Sequence, residues 1–572
     1  MAKPTPFGVF DLHELIGEGG MGEVFRAVHR EQGVEVAIKV LRTEQAAHQH
    51  VRDAFLREAQ SVARMLHSGI VRIIDYGEVP PQAHEATSGR VVAGCPYIAM
   101  EFATRGSLHD MDDVLTWRQL RWMLIEILNA LAHAHARGLV HRDLKPDNVL
   151  ITTGRDDQTQ LKLTDFGIVH ITDPVGASTN PESSSLYAGT PVYMAPEQLR
   201  GQWRDFGPWT DLYALGCVAF EQCTGVLPFD GESLYEIAYK QLAEDLPELN
   251  PRMTVPDGFE AWLRRLFSKE IYDRFQRASD AAWALAKLPE VDEPKLGAIT
   301  GKFFIGARAA SGLERQTWSL EVDPQHAPQN TLRTDVAFVS PELIGDFETS
   351  RPPAPIAYRD APPMPESWHR TDPPAPSIQL IGAGLGLYGL RQIPYVSRVR
   401  ARDTAWSLLR RVHALNAPHA LLVRGPTGIG KTHFASWISE RAHEVGAATI
   451  LHVQHAPETD QLTALARMVE RKLQCAGLDR KETFQRLQSI LSAPQTPQAT
   501  IDLDALALTE LLRPGDTDDL GLKDPPSVEL HTARARSIVL AKLLEHLCRE
   551  RPVILWLEDA HWSPESIDLA RL

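Results

Sequence analysis

Cysteine is scarce in this sequence, with five residues among 572, at positions 95, 217, 223, 475 and 548. Their number is odd and no two are spaced as CxxC, which argues against a disulfide framework and against a cysteine-based zinc site. The cysteine content therefore favours a reducing compartment, and we expect a cytoplasmic protein.

Long apolar runs and an excess of basic residues are also missing. No stretch of about 18 uncharged apolar residues occurs, and the first residues, MAKPTPFGVF, lack a basic region followed by an apolar one. We therefore expect no membrane-spanning helix and no secretory signal. Lys and Arg number 59 against 74 Asp and Glu, a formal net charge of -15. This balance argues against nucleic acid and anionic membranes as general partners, because phosphate groups would repel the chain.

The order of patterns along the chain predicts several domains, as does a length beyond what one hydrophobic core supports. Short β-branched runs dominate residues 7–102, and helical periodicity dominates residues 103–288. Proline clusters mark residues 289–378, which we predict to be a poorly ordered linker. Residues 379–572 alternate helical and strand patterns. The predicted fold class is multidomain, α+β followed by α/β.

Four glycines lie close together in the stretch LIGEGGMGEVFRAV, residues 15–28. Gly17, Gly19, Gly22 and Val24 fit the pattern GxGxxGxV, which by itself also suits a dinucleotide-binding turn or an ordinary hairpin. Strand-like runs follow, whereas a dinucleotide fingerprint opens a helix. The context therefore favours a hairpin that folds over phosphate groups and offers them backbone N–H groups.

Lys39, in the run VAIK, lies on the third predicted strand, where its ammonium can meet phosphate oxygens. Glu58, on the next predicted helix, can hold Lys39 by an ion pair, although a solvated surface pair is the alternative from these two residues alone. Three later motifs reverse that balance: HRDLKPDN at 141–148, TDFG at 164–167 and GTPVYMAPE at 189–197. With these motifs in this order, the chain from about residue 10 to 288 resembles the bacterial branch of the eukaryotic-like Ser/Thr protein kinases.

The resemblance implies a bilobal protein kinase fold over residues 7–288 and ATP-dependent phosphoryl transfer. Asp143 matches the family's residue that orients the substrate hydroxyl and accepts its proton, and Lys145 matches the residue that touches the γ-phosphate. Asn148 and Asp165 match the two ligands of Mg²⁺, a hard cation that prefers oxygen donors. Mn²⁺ is an alternative metal.

Other matched positions are architectural or regulatory, and only the family implies their roles. Met100 would gate the adenine pocket, with Glu101 to Ala103 as the hinge, although a plain core role for Met100 is the alternative. Arg142 would pair with a phosphate on the hydroxyl-rich loop 168–188. The remaining matches are Thr190, which would face the substrate, Glu197, which would pair with Arg274, and Asp211, which would brace the catalytic loop.

A second nucleotide-binding pattern occurs in ALLVRGPTGIGKTHFA, between a predicted strand and a predicted helix. Its P-loop residues are Gly425, Gly430, Lys431 and Thr432. Backbone N–H groups, an ammonium and a hydroxyl in this order suit phosphates and Mg²⁺. A later apolar strand, in RPVILWLEDAHW, ends at Glu558 and Asp559, and the choice of metal-side acid between them stays open.

These two motifs make the region 379–572 resemble the AAA-like and signal-transduction (STAND) ATPases. In that family's sheet, the P-loop strand lies between two strands that follow the acid motif, whereas this sequence ends ten residues after HW. We therefore expect a partial P-loop NTPase domain, either in a fragment of a larger regulator or in a vestigial ATPase.

Two functions from different classes compete. The first is a non-specific serine/threonine protein kinase that phosphorylates proteins and itself, with a C-terminal region that senses signals or binds signalling partners. The second is a nucleotide-binding signalling scaffold with little or no transfer activity. Intact Lys39, Asp143, Asn148 and Asp165 favour the first. Another glycine-rich run, LIGAGLGLYGLRQIP at 380–394, is interpreted as a flexible or closely packed joining segment without a ligand.

Overall fold

The structure is a computed structural model that describes most of the chain: residues 4–19, 22–87, 90–111, 113–154, 158–167, 191–291, 336–338, 361–369, 379–390, 395, 398–457, 461–492, 497–515, 520, 528 and 530–571. The chain divides into two compact units. The first contains the described residues up to 291 together with 369 and 379–390. The second contains 336–338, 361–368 and the described residues from 395 onward.

A six-stranded antiparallel sheet forms the small lobe of the first unit. Its strands are β1 Thr5–Phe7, β2 Phe10–Glu18, β3 Gly22–His29, β4 Glu35–Leu41, β5 Ile73–Glu78 and β6 Pro96–Glu101. The strand order is β1-β2-β3-β4-β6-β5, so β1 and β5 are the two edges. Successive residues of each strand alternate between the two faces.

Three helices accompany this sheet: α1 Thr43–Ala46, α2 Gln49–Ala63 and α3 Pro81–Ala86. Helix α2 buries Phe55, Ala59 and Val62, which recur at helical spacing. Glu58 is also buried, directly before Ala59. The packing of α2 therefore carries one carboxyl group into the interior of the lobe.

The larger lobe is mainly helical, with α4 Trp117–His135, α5 Pro196–Leu199, α6 Pro208–Thr224, α7 Leu234–Ala243, α8 Phe259–Leu266, α9 Ala278–Ala286 and a hairpin of β7 Val149–Thr153 and β8 Thr159–Leu163. Helix α4 begins after Thr116, whose hydroxyl accepts the Gln119 N–H at 3.3 Å. The Gln119 side chain in turn accepts the Thr116 N–H at 2.9 Å. Apolar residues of both lobes share one hydrophobic core.

The second unit contains two separate two-stranded sheets. The strand before the P-loop, β10 Leu421–Val423, pairs antiparallel with β9 Val336–Phe338. Strand β11 Thr449–Gln454 pairs parallel with β12 Val553–Glu558. The helices of this unit are α10 Val399–Leu415, α11 Lys431–Glu444, α12 Gln461–Leu473, α13 Arg480–Leu491, α14 Gln498–Leu512, α15 Ala533–Cys548 and α16 Pro564–Arg571. No helix in the described ranges of the chain is both long and apolar enough to cross a bilayer.

Part of the stretch predicted to be a linker packs onto the second unit. Trp368 donates its indole N–H to Asp403 at 2.8 Å, and Trp406 donates its own to the carbonyl of Pro365 at 3.0 Å. The Trp368 carbonyl accepts from Arg441 at 2.9 Å. These contacts join residues 361–368 to α10 and α11.

Candidate active site

The predicted phosphate-binding hairpin is formed by β2 and β3. Gly17 and Val24 are direct partners in the ladder between these strands, and the Gly19 N–H donates to the Gly22 carbonyl at 3.0 Å. A Cβ atom on Gly22 would lie 2.5 Å from the carbonyl oxygen of Val40 on β4. Glycine at position 22 is therefore required by close backbone packing.

Lys39 on β4 forms an ion pair with Asp165, with Nζ 2.8 Å from Oδ1. Among the described residues, the ion partner of Lys39 is thus Asp165 and not the predicted Glu58. Both carboxyl groups line the same small cavity as Lys39, beside Met100 and Thr164. The structure thus brings the predicted lysine and both of its acids together, with Asp165 as the partner.

The two carboxyl groups beside Lys39 differ in pKa, although both are desolvated by burial. Burial raises the pKa of Glu58 to about 8, together with the nearby charges of Asp165 and Asp143 and against the charge of Lys39. Burial opposes ionisation of Asp165 too, but its contact with the Lys39 ammonium lowers the pKa of Asp165 below its ordinary value. At neutral pH Glu58 is therefore mostly protonated, whereas Asp165 is the anion that pairs with Lys39.

The predicted catalytic residues lie around one short loop. Lys145 Nζ is 3.0 Å from Asp143 Oδ2. The Asn148 amide donates to the same carboxylate oxygen at 3.0 Å and to the Asp143 carbonyl at 2.7 Å. These contacts hold a carboxylate, an ammonium and an amide within one hydrogen-bonded cluster.

Backbone hydrogen bonds attach this loop to the segment that carries Asp165. The Thr164 N–H donates to the Asn148 carbonyl at 3.0 Å, and the Gly167 N–H donates to the His141 carbonyl at 2.8 Å. The His141 ring also lies 2.9 Å from the Thr164 carbonyl, through Nε2. The two predicted metal ligands, Asn148 and Asp165, therefore come from segments that are directly bonded to each other.

Asp211 braces the catalytic loop from within α6. Its carboxylate accepts the backbone N–H groups of His141 at 2.8 Å and Arg142 at 2.7 Å. The other contact is with His135, whose Nε2 lies 2.7 Å from Asp211 Oδ2. No role was predicted for His135, because its position on α4 becomes informative only when α4 packs beside α6.

Arg142 has a left-handed backbone, with φ 66°, and a largely buried guanidinium. Its Nε atom is buried without a hydrogen-bond partner among the described residues, and its Cζ lies 5.8 Å from the centroid of the Phe206 ring. Burial lowers the pKa of Arg142 below its ordinary value, against the charge of Asp211. Thr190 and the loop 168–188 lie outside the described residues.

Glu197 and Arg274 form a fully buried pair. Arg274 contributes two nitrogens, each 2.9 Å from a different oxygen of Glu197. Thr210 on α6 donates its hydroxyl to the same carboxylate at 2.8 Å. The pair therefore ties α5, α6 and the segment before α9 together.

The predicted hinge follows β6. Met100 is buried and lines the cavity next to Lys39. Glu101 pairs with Lys162 of β8, at 3.1 Å between Oε2 and Nζ. Ala103 follows β6 and is half-buried. A buried position beside this cavity agrees with both the gating role and the core role that the sequence left open for Met100.

The P-loop residues lie at the start of α11. Lys431 donates to the carbonyls of Gly425 and Pro426, each at 3.0 Å. The Thr432 hydroxyl lies 2.5 Å from Glu558 Oε1, and Gly430 precedes α11 as its cap with φ 89°.

Glu558, at the end of β12, is the acid that faces the P-loop. Its second carboxylate oxygen lies 3.0 Å from His452 Nε2, and the His452 ring stacks on Trp556 with centroids 3.8 Å apart. Asp559 is exposed and has a left-handed backbone, with φ 52°. Of the two acids left open by the sequence, Glu558 is therefore the one in contact with Thr432. His452 was not predicted, since it comes from a different strand.

Two family models match the chain. The protein kinase domain model matches residues 10–282, and the AAA ATPase domain model matches residues 398–569. These matches confirm the predicted fold classes, a kinase domain with a sheet-based small lobe and a helical large lobe, followed by an AAA-type domain of mixed α/β structure.

Curated relatives match the first of these domains. A probable serine/threonine-protein kinase PknB of Corynebacterium glutamicum is 38% identical over 291 residues, 49% of this chain and 42% of the relative. The serine/threonine-protein kinase pkn3 of Myxococcus xanthus is 34% identical over 292 residues, 50% of each chain. PknA of Mycobacterium tuberculosis is 37% identical over 251 residues, 43% of this chain and 54% of the relative.

The chain thus spans about half the length of the curated relatives that it matches, with 42% to 54% of each covered. The matched half contains the cluster of Lys39, Asp143, Asn148 and Asp165. Residues 10–282 are therefore a protein kinase domain similar to those of bacterial serine/threonine kinases, and residues 398–569 are an AAA ATPase domain.

Proposed function

We propose that this protein transfers the γ-phosphoryl group of ATP to serine and threonine hydroxyls of proteins, including its own. The observation that carries the proposal is the hydrogen-bonded cluster of Asp143, Lys145 and Asn148, attached by backbone bonds to the segment of Asp165. Lys39 reaches Asp165 from the small lobe. A phosphoryl transfer site needs these charges in one place, because catalysis depends on positioning and on neutralising charge.

Asp143 is the proposed acceptor of the hydroxyl proton. As the substrate oxygen bonds to the γ-phosphorus, the bond from phosphorus to the β-γ bridging oxygen breaks, ADP leaves, and the hydroxyl proton passes to the Asp143 carboxylate. Lys145, 3.0 Å from Asp143, is placed to neutralise negative charge on the transferred group. The arrangement orients the acceptor and stabilises charge without a covalent intermediate on the protein.

Asn148 and Asp165 are the proposed metal ligands. A carboxylate and an amide oxygen are the hard donors that Mg²⁺ or Mn²⁺ prefers, and the two side chains come from bonded segments. A divalent cation at this position supplies charge neutralisation for the β- and γ-phosphates. Lys39 and the backbone of the hairpin β2–β3 would hold the remaining phosphate oxygens.

The transfer activity is tested with the whole chain, labelled ATP, Mg²⁺ and a generic basic protein as acceptor. Asp143→Asn and Lys39→Ala should each lower phosphate incorporation by about 10²-fold or more while the protein stays folded. Asp147→Asn is the matched control, because Asp147 is an exposed aspartate of the same loop. Near wild-type incorporation by Asp143→Asn would overturn the role of Asp143. Absence of transfer from the wild-type chain would favour the signalling scaffold.

We also propose that Arg142 makes the activity responsive to phosphorylation of the loop 168–188. A largely buried guanidinium whose Nε lacks a hydrogen-bond partner among the described residues gains from a nearby dianion. Mass spectrometry after incubation with ATP would identify the modified hydroxyls. A chain that transfers phosphate at full rate without any loop modification would contradict this proposal.

For the AAA ATPase domain we propose nucleotide binding in a regulatory role. Thr432 and Glu558 offer a hydroxyl and a carboxylate in direct contact, a donor set that fits Mg²⁺ beside a bound nucleotide. ATPase activity that disappears with Lys431→Ala but survives Lys39→Ala would show that this domain also hydrolyses ATP. We further propose a cytoplasmic location and signalling partners that bind through this domain.

A further inference from the structure

The glycine-rich segment at residues 379–390, here called the strap, packs onto the small lobe of the kinase domain. It begins almost a hundred residues after the family model ends at 282. Leu387 is completely buried and Leu380 nearly so, at 0% and 8% exposure, and both belong to the hydrophobic core of the first unit. The strap is therefore part of the kinase lobe in space, although not in sequence.

One end of the strap is held beside the β3–β4 turn. Gln32 donates to the Gln379 carbonyl at 3.2 Å and accepts the Ile381 N–H at 2.8 Å. The buried His29 ring lies 2.9 Å from the Ile381 carbonyl, through Nε2. These bonds use the main chain of the strap on both sides of Leu380.

The other end of the strap is held at β5, the edge strand. Gly384 donates its N–H to Asp75 at 3.0 Å, and the same carboxylate accepts the Tyr97 hydroxyl at 3.1 Å. A Cβ atom on Gly386 would lie 3.3 Å from the Tyr76 ring and 3.6 Å from the Tyr76 carbonyl. Covering an edge strand in this way satisfies a surface that would otherwise be open to pairing with another chain.

The strap crosses the sheet on the side away from the cleft. Asp75 lies directly opposite Ala99, and Ala99 lies opposite Ile38, so these three side chains share one face. Lys39, the next residue on β4, points to the other face, where it meets Asp165. The strap is bonded to His29 of β3 on one side and to Asp75 of β5 on the other, and β4 and β6 lie between these two strands in the sheet.

The outer face of the sheet carries apolar side chains that are fully buried. Ala27, Val36, Ile38 and Ala99 each show 0% exposure. The Asp75 carboxylate that accepts the Gly384 N–H also accepts the hydroxyl of Tyr97 on β6. The strap is therefore linked to β6, the strand that ends in the predicted hinge.

We propose that the outer face of the small lobe is a docking surface whose occupant is the strap of the same chain, and that docking positions β6 and the hinge for ATP binding. The docking of the strap is independent of the proposed function, whereas the effect of docking on ATP affinity rests on the proposed function. Apolar anchors at Leu380 and Leu387 provide the binding energy, and the main-chain bonds to His29, Gln32 and Asp75 set the position.

The docking is tested by hydrogen exchange on the full chain with two matched substitutions. Leu387→Asp places a charge at a fully buried position, whereas Leu385→Asp places the same charge two residues away at a position that is 80% exposed. The wild type and Leu385→Asp should protect the amides of 380–390 and of β5, and Leu387→Asp should lose that protection at least about tenfold. Equal exchange in the two variants, or free-peptide exchange of the strap in the wild type, would overturn the proposal.

A second experiment does not depend on the folding of Leu387→Asp. In the full chain, residues 379–390 are replaced by a Gly-Ser sequence of equal length, and a synthetic peptide of residues 379–390 is added. The peptide should bind saturably and restore exchange protection to β5, whereas the peptide carrying Leu387→Asp should not. Failure of the wild-type peptide to bind or to protect β5 would count against docking.

The effect of strap docking on ATP affinity is measured in a separate experiment. Leu387→Asp should raise KM for ATP about 5-fold with a smaller change in kcat, because the strap acts on the hinge and not on Asp143. ATP affinity measured by equilibrium binding should weaken by the same factor. Unchanged ATP affinity, with the strap shown by exchange to be released, would remove the positioning role and leave the docking. Loss of transfer activity in all variants, including the wild type, would concern the proposed function alone.

Discussion

Lys39 Nζ lies 2.8 Å from Asp165, while the buried Glu58 beside the same cavity has a pKa raised to about 8. Lys39 thus shares one cavity with two carboxyl groups, of which Asp165 has a lowered pKa and Glu58 a raised one. The predicted metal ligand Asp165 is also the present partner of Lys39. Binding of a metal and binding of a proton are therefore linked at this site.

This linkage predicts that MgATP releases a proton on binding near pH 7. A metal held by Asp165 would leave the Lys39 ammonium available to stabilise the Glu58 anion. Calorimetry in two buffers of different ionisation enthalpy should give about 0.5–1 proton released by the wild type. Glu58→Gln should reduce this to near zero, and Glu44→Gln, at an exposed position on α1, should not. Undiminished release from Glu58→Gln would contradict the assignment.

The raised pKa of Glu58 also predicts a pH dependence of stability without nucleotide. The folded form keeps the Glu58 proton up to about pH 8, whereas the unfolded form loses it near the ordinary pKa of 4.5. Because the folded form binds more protons in this window, the free energy of unfolding should fall as pH rises from about 4.5 to 8. The free energy of unfolding, measured by urea denaturation at several pH values in this range, should change less with pH for Glu58→Gln than for the wild type. The same pH dependence in both proteins would contradict the raised pKa of Glu58.

Loss of the buried pair between Glu197 and Arg274 should destabilise the larger lobe. Arg274→Ala leaves the Glu197 carboxylate buried without its cation, which typically costs about 3–5 kcal/mol. Arg264→Ala is the control, since the pair of Arg264 with Glu260 is about half exposed and such pairs contribute about 0–1 kcal/mol. Hydrogen exchange of the α6 amides reports the free energy of opening. Equal effects of the two substitutions would show that burial of the pair does not matter.

Glu558 and Asp559 are adjacent acids with different surroundings, and only Glu558 touches Thr432. Glu558→Gln should weaken Mg²⁺-dependent binding of a fluorescent ATP analogue about tenfold, the effect of losing one charge-assisted interaction of ~1.5–3 kcal/mol. Asp559→Asn should leave it nearly unchanged. The measurement is made in the Lys39→Ala background, so that the kinase site contributes little. A larger effect of Asp559→Asn would reverse the assignment.

The buried guanidinium of Arg142 leads us to expect that autophosphorylation increases the transfer activity. Incubation of the wild type with ATP should increase its later activity on an added protein, and Arg142→Gln should lose most of that increase. Arg142→Lys keeps the charge but not the bidentate geometry, so this variant should retain part of the increase in activity. Activity is followed before and after incubation, with mass spectrometry of the loop 168–188. An increase of wild-type size in Arg142→Gln would show that the phosphate acts elsewhere.

Much of the kinase site could be predicted from the sequence because its residues occur in short motifs. Asp143, Lys145 and Asn148 lie within six positions of one another, so local backbone geometry brings them together. The pairing of Glu197 with Arg274 was also expected, but only because the family's motifs fixed both positions. His135 and His452 were not assigned, since each acts through a neighbour that is distant in sequence.

The ion partner of Lys39 could not be predicted from charge alone. Lysine and glutamate at positions 39 and 58 suggest a pair, yet whether the Lys39 ammonium contacts Glu58 or Asp165 depends on where packing places each carboxyl group. That placement is set by the packing of α2 and of the segment that carries Asp165. The choice between Glu558 and Asp559 is likewise made by the end of β12, which directs one of two adjacent acids toward the P-loop.

The sequence by itself determined that two nucleotide-binding patterns follow each other, which acids and lysines each contains, and the kind of domain around each. Only the tertiary structure decided which carboxyl groups are ionised and which distant segments complete a lobe. The run at 380–394 shows the difference, because its glycines and leucines look like a joining segment until Leu387 is seen to be buried in the hydrophobic core of the first unit. Motifs record the chemistry of neighbouring residues, whereas burial and long-range contact depend on the folding of the whole chain.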